Sequence, residues 1–249
     1  MFSSKRNGGK HNLNLWRMGA DGANPVALTS DPDADNVNLP GSAWNATSGR
    51  ITFSSDRVAN DEIWTMLPDG RSVTRVTPDP APDWEPSWSP NGRWIAFQSE
   101  RSGNWDIYKA KVSTGRTVRL TRRPASDWGP NWGPSGDIAF QSNRDGNWEI
   151  YAVDARGGPQ TNLTNSGAED TDPSWNPDGS RIVFSSDRGD FGEAEIFVLD
   201  AGGSGAPPVR VTSDPAYDGA PSWSPDGTII VFESDRSGNL DIWTIPASA

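Results

Sequence analysis

The chain has 249 residues, a net charge of −11 at pH 7 and no cysteine. The acidic balance disfavours nucleic acid and anionic membranes as partners, and the absence of cysteine excludes disulfides and thiolate metal sites. The apolar runs are too short to cross a bilayer as a helix, and residues 1–30 contain no signal peptide. We therefore expect no membrane insertion.

One segment recurs along the chain with small changes. It is clearest at 86–108, PSWSPNGRWIAFQSERSGNWDIY, and returns at 130–151, 173–197 and 221–243, with a looser copy at 41–64. Its leading tryptophan stands at positions 44, 88, 132, 175 and 223, so the spacing is 43 to 48 residues. A period of this size indicates a repeat architecture.

Each repeat contains four short extended segments. In the clearest copy the first segment ends at Trp88, and the turn SPNG follows it. The second alternates apolar and polar residues through Ile95 and Phe97, the third contains Ile107-Tyr108, and the fourth is VRLT at 118–121. Turn residues between period-two segments are typical of antiparallel hairpins. Four such strands per repeat predict an all-β fold, a β-propeller of four-stranded antiparallel blades.

The repeats run along nearly the whole sequence, so we expect a single propeller domain over residues 1–249. The blades are predicted around 1–30, 31–78, 79–122, 123–165, 166–213 and 214–249. The third-strand pattern occurs six times and the first-strand tryptophan five times. Six blades, with both terminal blades short of one strand, are therefore favoured over five, in which 26–29 would complete the last blade. The opening inside a repeat also suggests a fragment of a longer chain.

Tryptophans recur at equivalent positions of the first and third strands. Stacked blades bury each other's faces, so we expect these eight indoles to belong to the core and to carry no function of their own. They are Trp16, Trp44, Trp64, Trp88, Trp132, Trp175, Trp223 and Trp243.

The repeat resembles the TolB-type, WD-like propeller repeat, whose pattern runs P-S-W-S-P-D-G, then I-A-F, then S-D-R-x-G-N-x-D-I-Y. The copy at 221–243 is similar to it at almost every position, and the resemblance covers about residues 1–245. It implies a bacterial protein in a periplasmic or extracellular setting, with an envelope lipoprotein, the peptidoglycan-associated one, as a partner. Oligogalacturonate lyases and prolyl-peptidase-like enzymes use similar blades, so the fold alone does not name a function.

Two sets of charged residues recur with the blades. An arginine follows each second strand, and an acid starts each third strand, five residues later in most copies. We expect these two to pair across the hairpin, which would brace the loop, with ligand contact as the alternative. The arginines are Arg57, Arg101, Arg144, Arg188 and Arg236, and the acids are Glu62, Asp106, Glu149, Glu195 and Asp241.

A further acid stands five residues before the first-strand tryptophan in four blades, as Asp83, Asp127, Asp170 and Asp218. These positions fall in the loops that enter the innermost strands, so the carboxylates are predicted to ring one mouth of the central channel. They would either cap the loops through Asx-turns or form an acidic mouth that attracts a cation or a basic partner segment.

Four tryptophans fall outside the framework: Trp84, Trp105, Trp128 and Trp148. They belong to two neighbouring blades and to loops that emerge on one face of a propeller. Such a patch is typical of protein or sugar recognition, although packing as a loop rim would also explain it. The candidate partner-binding residues are therefore Asp83, Trp84, Arg101, Trp105, Asp127, Trp128, Arg144, Trp148, Asp170 and Asp218.

The sequence contains few residues that could carry out catalysis or bind a metal ion. The single histidine, His11, cannot supply a multi-histidine metal site, and no nucleophile-elbow motif is present. The run from Asp31 to Asn36 lacks the glycine and the glutamate that a calcium loop needs. We expect no catalytic residue, no metal and no cofactor, and we predict a non-catalytic propeller that binds a protein or peptide through its loop-rich face. The alternative is a propeller that binds or processes carbohydrate with the same patch.

Overall fold

The computed structural model describes residues 1–4, 13–30, 33–36, 43–190, 192–202 and 205–247. These residues form 23 β-strands in six antiparallel sheets. Among them there is no helix of the length and apolar character that a membrane crossing needs. His11 and part of the segment from Asp31 to Asn36 lie outside the described residues.

The sheets follow one another along the chain, and each is one blade. Blade 1 contains β1 (Phe2–Ser4), β2 (Asn14–Arg17) and β3 (Val26–Ala27). Blade 2 contains β4 (Asp35–Asn36), β5 (Trp44–Asn45), β6 (Arg50–Ser55), β7 (Glu62–Met66) and β8 (Thr74–Arg75). Blade 3 contains β9 (Asp83–Trp88), β10 (Trp94–Ser99), β11 (Asp106–Lys111) and β12 (Thr117–Arg119). Blade 4 contains β13 (Asp127–Trp132), β14 (Asp137–Ser142), β15 (Glu149–Asp154) and β16 (Gln160–Asn162). Blade 5 contains β17 (Asp170–Trp175), β18 (Arg181–Ser186), β19 (Glu195–Asp200) and β20 (Val209–Arg210). Blade 6 contains β21 (Asp218–Trp223), β22 (Ile229–Ser234) and β23 (Asp241–Pro246).

The strand order confirms a six-bladed propeller with incomplete terminal blades. Blades 3, 4 and 5 are four-stranded meanders, whereas blades 1 and 6 have three strands each in the described chain. The segment Val26–Ala27 pairs with β2 and not with the last blade, so the five-bladed alternative is wrong. In blade 2 the innermost strand is interrupted, because β4 and β5 both pair with β6.

The turn between the first two strands of a blade follows the predicted chemistry. In blade 3, the Gly92 N–H donates to the Ser89 carbonyl at 2.9 Å, and the Ser89 hydroxyl accepts from the Trp94 N–H at 2.9 Å. Gly92 has a φ of 65°, a conformation that costs residues with a Cβ about 1 kcal/mol or more. The glycine therefore sets this hairpin, and the hairpin fixes the register of the first two strands.

The core lies between neighbouring blades. The Phe97 position of each complete second strand is fully buried, and Ala96 and Ile107 of blade 3 pack with Ile138 and Phe140 of blade 4. Burial of such a side chain contributes about 2 kcal/mol. The period-two pattern thus supplies two faces to each sheet, one for each neighbouring blade.

The prediction for the framework tryptophans is wrong at Trp44. Trp88 and Trp223 are buried, but Trp44 is 41% exposed. The Trp223 indole N–H donates to the Ser174 carbonyl of the preceding blade's first strand at 3.2 Å, and the Trp88 ring packs against Ile63 and Val76 of the preceding blade. The described part of blade 1 offers no innermost strand, so Trp44 lacks this support.

Candidate functional site

The hairpin arginines do not pair with the acids that start the third strands, as the spacing suggested. Arg101 Nη2 lies 2.7 Å from both carboxylate oxygens of Asp83, and its Nε donates to Ser99 Oγ at 2.9 Å. The guanidinium also lies over the Tyr108 ring, 5.0 Å from its centre. The register explains this pairing, because Asp83 is the direct cross-strand partner of Ser99. Equivalent pairs join Arg57 to Asp35, Arg144 to Asp127, Arg188 to Asp170 and Arg236 to Asp218.

The acids that start the third strands pair with the fourth strand instead. Asp106 accepts from Arg119 at 2.6 Å and from the Thr121 hydroxyl at 3.1 Å. Glu62 and Glu195 are held in the same way by the arginine and threonine of their own fourth strands. These contacts close the outer side of blades 2, 3 and 5 and belong to the framework.

The predicted acidic mouth is therefore not formed by the four recurring aspartates. The carboxylates of Asp83, Asp127, Asp170 and Asp218 are fully buried and face arginines. Burial raises the pKa of Asp83, and Arg101 opposes the rise. A partner cannot reach these carboxylates without opening the blade, whereas the arginine side chains that cover them keep 10% to 27% of their surface exposed. We therefore leave the aspartates Asp83, Asp127, Asp170 and Asp218 out of the proposed contact surface, and binding roles for Arg101 and Arg144 stay predictions.

The four additional tryptophans form one continuous row, which we call the tryptophan row. The rings of Trp84 and Trp105 are stacked, with centres 4.8 Å apart. Trp105 meets Trp128 edge-on at 6.4 Å, and Trp128 lies 5.1 Å from Trp148 at an angle of 38°. Trp84 is 38% exposed and Trp128 is 36% exposed. Such exposure is unusual for the largest apolar side chain, since monomeric proteins rarely leave a contiguous aromatic surface in water.

The backbone under the tryptophan row is held by hydrogen bonds between blades. Asn104, which precedes Trp105, donates from Nδ2 to the Ala125 carbonyl at 2.6 Å, and the Trp105 carbonyl accepts from the Asp127 N–H at 2.9 Å. Asn147 holds Trp148 in the same way, through the Ala168 carbonyl at 2.6 Å. The row is therefore preorganised, which lowers the entropic cost of binding through it.

A cavity of about 520 Å³ adjoins the tryptophan row. Trp84 lines it together with residues of blades 1, 2, 3, 5 and 6, which places it at the central channel. One part of its wall is apolar and includes Phe2, Leu13, Phe232 and Ile242, and another part is acidic and includes Asp61, Glu85, Asp172 and Glu233. The loop-rich face thus combines an aromatic row with a negatively charged opening.

The acidic wall arises from a bulge in the first strands. Glu85 and Asp172 have φ angles of 53° and 54°, in the left-handed region, where the strand register shifts. The Gly129 N–H of the next blade donates to Glu85 Oε2 at 2.9 Å and to Gln98 Oε1 at 2.8 Å. The equivalent residues of blades 4 and 6, Gly129 and Ala220, have φ angles of 59° and 48°, so the left-handed residue belongs to the repeated bulge of the first strands.

These carboxyl groups hold their protons unusually tightly. Burial, helped by the charge of Asp172, raises the pKa of Glu85 to about 7. Burial, helped by the charge of Glu233, raises the pKa of Asp172 to about 6 despite its hydrogen bonds. Burial also raises the pKa of Asp61, against a hydrogen bond from Trp84. The cavity therefore brings together carboxyl groups whose negative charges repel, and an occupant with positive charge would favour their ionised forms.

Sequence reasoning missed Glu85, Asp172 and Glu233. The repeat did contain a signal, because the second residue after each recurring aspartate varies as E, G, D and A in DWEP, DWGP, DTDP and DGAP. The framework fixes a left-handed backbone at all four positions but leaves the side chain free to vary.

Within the described ranges, no three His, Asp or Glu side chains converge in a way that could hold a metal ion. This finding covers the acidic wall of the cavity, where Glu85 and Asp172 accept backbone N–H groups and Asp61 accepts a hydrogen bond from Trp84.

The family model for the TolB beta propeller domain matches residues 35–139 and 123–209. The chain belongs to the TolB β-propeller domain family. Its match extends over most of the sequence and includes blades 2 to 5, where the tryptophan row and much of the acidic wall lie. No protein with a curated description matches the chain.

Solved structures extend the likeness to the whole fold. TolB from Acinetobacter baumannii is 21% identical with a TM-score of 0.75, and the match covers 94% of this chain and 57% of that protein. A TolB from Agrobacterium tumefaciens is 21% identical with a TM-score of 0.74, covering 90% and 80%. A puromycin-hydrolyzing peptidase from Mycobacterium tuberculosis is 17% identical with a TM-score of 0.69, covering 97% and 40%. At these identities the likeness establishes the fold only. The same fold occurs in TolB proteins and in a peptidase, so it does not by itself identify a function.

Proposed function

We propose that this TolB-family propeller is a non-catalytic scaffold that binds a protein or peptide partner through its loop-rich face. The tryptophan row carries this proposal. It presents a rigid aromatic surface on two adjacent blades, and Trp is enriched among the few residues that carry most of the binding energy of protein interfaces. Trp128 lies at the centre of the row and touches both Trp105 and Trp148, so it is the expected anchor.

The acidic cavity defines the second half of the surface. Trp84 belongs both to the row and to the cavity wall, so one partner segment would contact both. Its chemistry follows from the lining: an apolar or aromatic group against the indoles, and a basic group facing Glu85 and Asp172. Complementary charge of this kind speeds association and fixes orientation more than it adds affinity.

The family suggests the setting. By likeness to TolB, we propose a periplasmic location in a bacterium, with an envelope lipoprotein such as the peptidoglycan-associated one as the partner. The chain spans 57% of the Acinetobacter TolB, so the partners of that whole protein come to this chain only as a proposal.

Carbohydrate is the second candidate ligand. Sugars bind to the open face of an aromatic ring, and Trp84 is the more exposed indole of the stacked pair at 38%. The stacking of Trp84 on Trp105 at 4.8 Å covers one face of each ring, however. The geometry of the row therefore favours a protein partner over a glycan.

Two binding screens in parallel test the proposed function. The protein is applied to a glycan array and to a panel of purified bacterial envelope lipoproteins, each time beside the Trp128→Ala variant. We expect saturable binding to a lipoprotein that the variant loses, and no glycan binding. Binding to a glycan that requires Trp128 would replace the protein partner by the carbohydrate alternative. Binding that the variant keeps would remove the row from the site.

A further inference from the structure

The hairpin arginine of blades 3 and 6 pairs with a second aspartate besides the buried one. In blade 3, Arg101 contacts Asp83 and also Asp79, whose Oδ2 lies 3.2 Å from Arg101 Nη1. In blade 6, Arg236 Nη2 lies 3.0 Å from Asp214 Oδ2. The second aspartate stands in the loop that leads into the blade, four residues before the buried one. The planar fork of N–H donors on a guanidinium can serve two carboxylates at once.

Blade 4 has an arginine at this second position. In blades 2 to 6 the position is occupied by Asp31, Asp79, Arg123, Ser166 and Asp214. Within the described ranges, no carboxylate forms a salt bridge with Arg123. Arg144 of the same blade contacts one oxygen of Asp127 at 2.8 Å and the neutral amide oxygen of Gln160, where Arg101 has two carboxylates. Blade 4 therefore replaces a negative charge beside its hairpin arginine by a positive one.

A cavity of about 450 Å³ lies at this place in blade 4. Its wall includes Arg123, Arg144 and Tyr151, together with Gln160 and Asn162 of the fourth strand. The Arg144 side chain is only 10% exposed, and its guanidinium lies over the Tyr151 ring, 4.2 Å from the ring centre. A guanidinium that is already fixed loses little conformational freedom when it binds an acceptor.

The wall also contains one acid, Asp145. Its carboxylate accepts the Tyr151 hydroxyl, and Asn162 Nδ2 donates to it at 3.2 Å. Burial, together with the hydrogen bond and charge of Asp145, raises the pKa of Tyr151 to about 12, so this hydroxyl remains a donor at pH 7. Among the described residues, Asp145 forms no salt bridge with Arg123 or Arg144. The two guanidinium groups therefore remain the cationic part of the wall.

We propose that this cavity binds a carboxylate, which bridges Arg123 and Arg144 in the place that Asp79 and Asp214 take in their own blades. Charge-assisted hydrogen bonds between arginine and carboxylate are about twice as strong as neutral ones, and their planar geometry makes them specific. The carboxylate is an aspartate or glutamate side chain of a partner polypeptide, or a free organic acid. The site is independent of the proposed function, because its residues belong neither to the tryptophan row nor to the acidic cavity.

The chain supplies a probe for this site. The blocked peptide acetyl-VTPDPAP-amide, residues 76–82, presents Asp79 in its own loop sequence, and the control peptide carries Asp79→Asn. Succinate is the free organic acid. Each probe is titrated at constant ionic strength, and NMR follows the arginine Nε–Hε signals of wild type, Arg123→Gln and Arg122→Gln. Arg122 is exposed and is not among the described residues that line the cavity, so its variant makes the same change of charge beside the site.

We expect saturable shifts of the Arg144 signal with a Kd of about 10 mM or below for the native peptide or for succinate. Arg123→Gln should bind about tenfold more weakly, because it loses a charge-assisted hydrogen bond, and Arg122→Gln should bind like wild type. Tighter binding of the native peptide identifies a polypeptide side chain as the ligand, and tighter binding of succinate identifies a free acid. The proposal is overturned if neither probe shifts the signal at about 50 mM, or if the two variants bind equally well.

Arg123→Asp provides a second test that needs no added ligand. Pro-Ala follows this position in blades 3, 4 and 6, so the loop of blade 4 can present an aspartate as the other two loops do. The new carboxylate should pair with Arg144, raise the urea midpoint above that of Arg123→Gln and abolish binding of both probes. A midpoint no higher than that of Arg123→Gln would mean that a carboxylate does not reach Arg144 from here, and would overturn the proposal.

Discussion

Glu85→Gln should change the pH dependence of stability in a defined direction. Burial and the charge of Asp172 raise the pKa of Glu85 from 4.5 to about 7 in the folded state. The folded protein therefore binds this proton more tightly than the unfolded chain does. The bound proton's contribution to the free energy of unfolding is complete below pH 4.5 and is lost as the pH rises through about 7.

The magnitude follows from the size of that shift. A difference from 4.5 to about 7 corresponds to about 3 kcal/mol at 1.36 kcal/mol per pH unit. Gln keeps the shape of the side chain and an oxygen to accept the Gly129 N–H, but it bears no charge. We expect the variant to be more stable than wild type by about 1–3 kcal/mol at pH 8, because some of the gain is offset by a weaker hydrogen bond.

Urea denaturation at intervals from pH 5 to pH 8 measures the effect, with Glu193→Gln as the control for loss of an exposed carboxylate. The free energy of unfolding of wild type should fall over this range more steeply than that of Glu85→Gln. Equal slopes for the two proteins, or a variant that is less stable than wild type at pH 8, would refute the reasoning.

The remaining stability predictions concern the framework. Asp127→Ala leaves Arg144 largely buried without its carboxylate, so it should cost about 3–5 kcal/mol in urea denaturation; a cost below about 1 kcal/mol would mean that the pair is solvated. Trp88→Ser should cost about 3–5 kcal/mol, because the indole packs between blades 2 and 3. Trp44→Ser should stay within about 1 kcal/mol of wild type, because that indole is 41% exposed. Equal costs at the two positions would contradict the difference in packing.

The blades were predictable because their determinants are local. The alternation through Ile95 and Phe97, the turn at Gly92 and the repeat period each express the strand and hairpin preferences of a short segment. The grouping of Trp105 and Trp128 was also predictable from loop positions, although the ring contacts depend on the distance between blades.

The pairing of the charged residues was not predictable from spacing alone. Arg101 stands five residues before Asp106 in the sequence, but strand register brings it to Asp83. Register is a property of two paired strands, so a spacing rule applied within one hairpin selected the wrong partner. The prediction that Trp44 is buried was wrong for a similar reason, because the burial of this indole depends on a neighbouring strand and not on its own segment.

The proposed partner surface is tested most directly by one comparison of affinities. The purified peptidoglycan-associated lipoprotein is titrated against wild type, Trp128→Ala and Trp94→Ala. Trp94 is a half-buried indole at the start of β10, packed on Lys109 at 4.6 Å and outside the tryptophan row. We predict at least about 30-fold weaker binding for Trp128→Ala, as for a hot-spot residue, and unchanged binding for Trp94→Ala. Absence of binding to wild type, or equal affinity of the Trp128→Ala variant, would contradict the account.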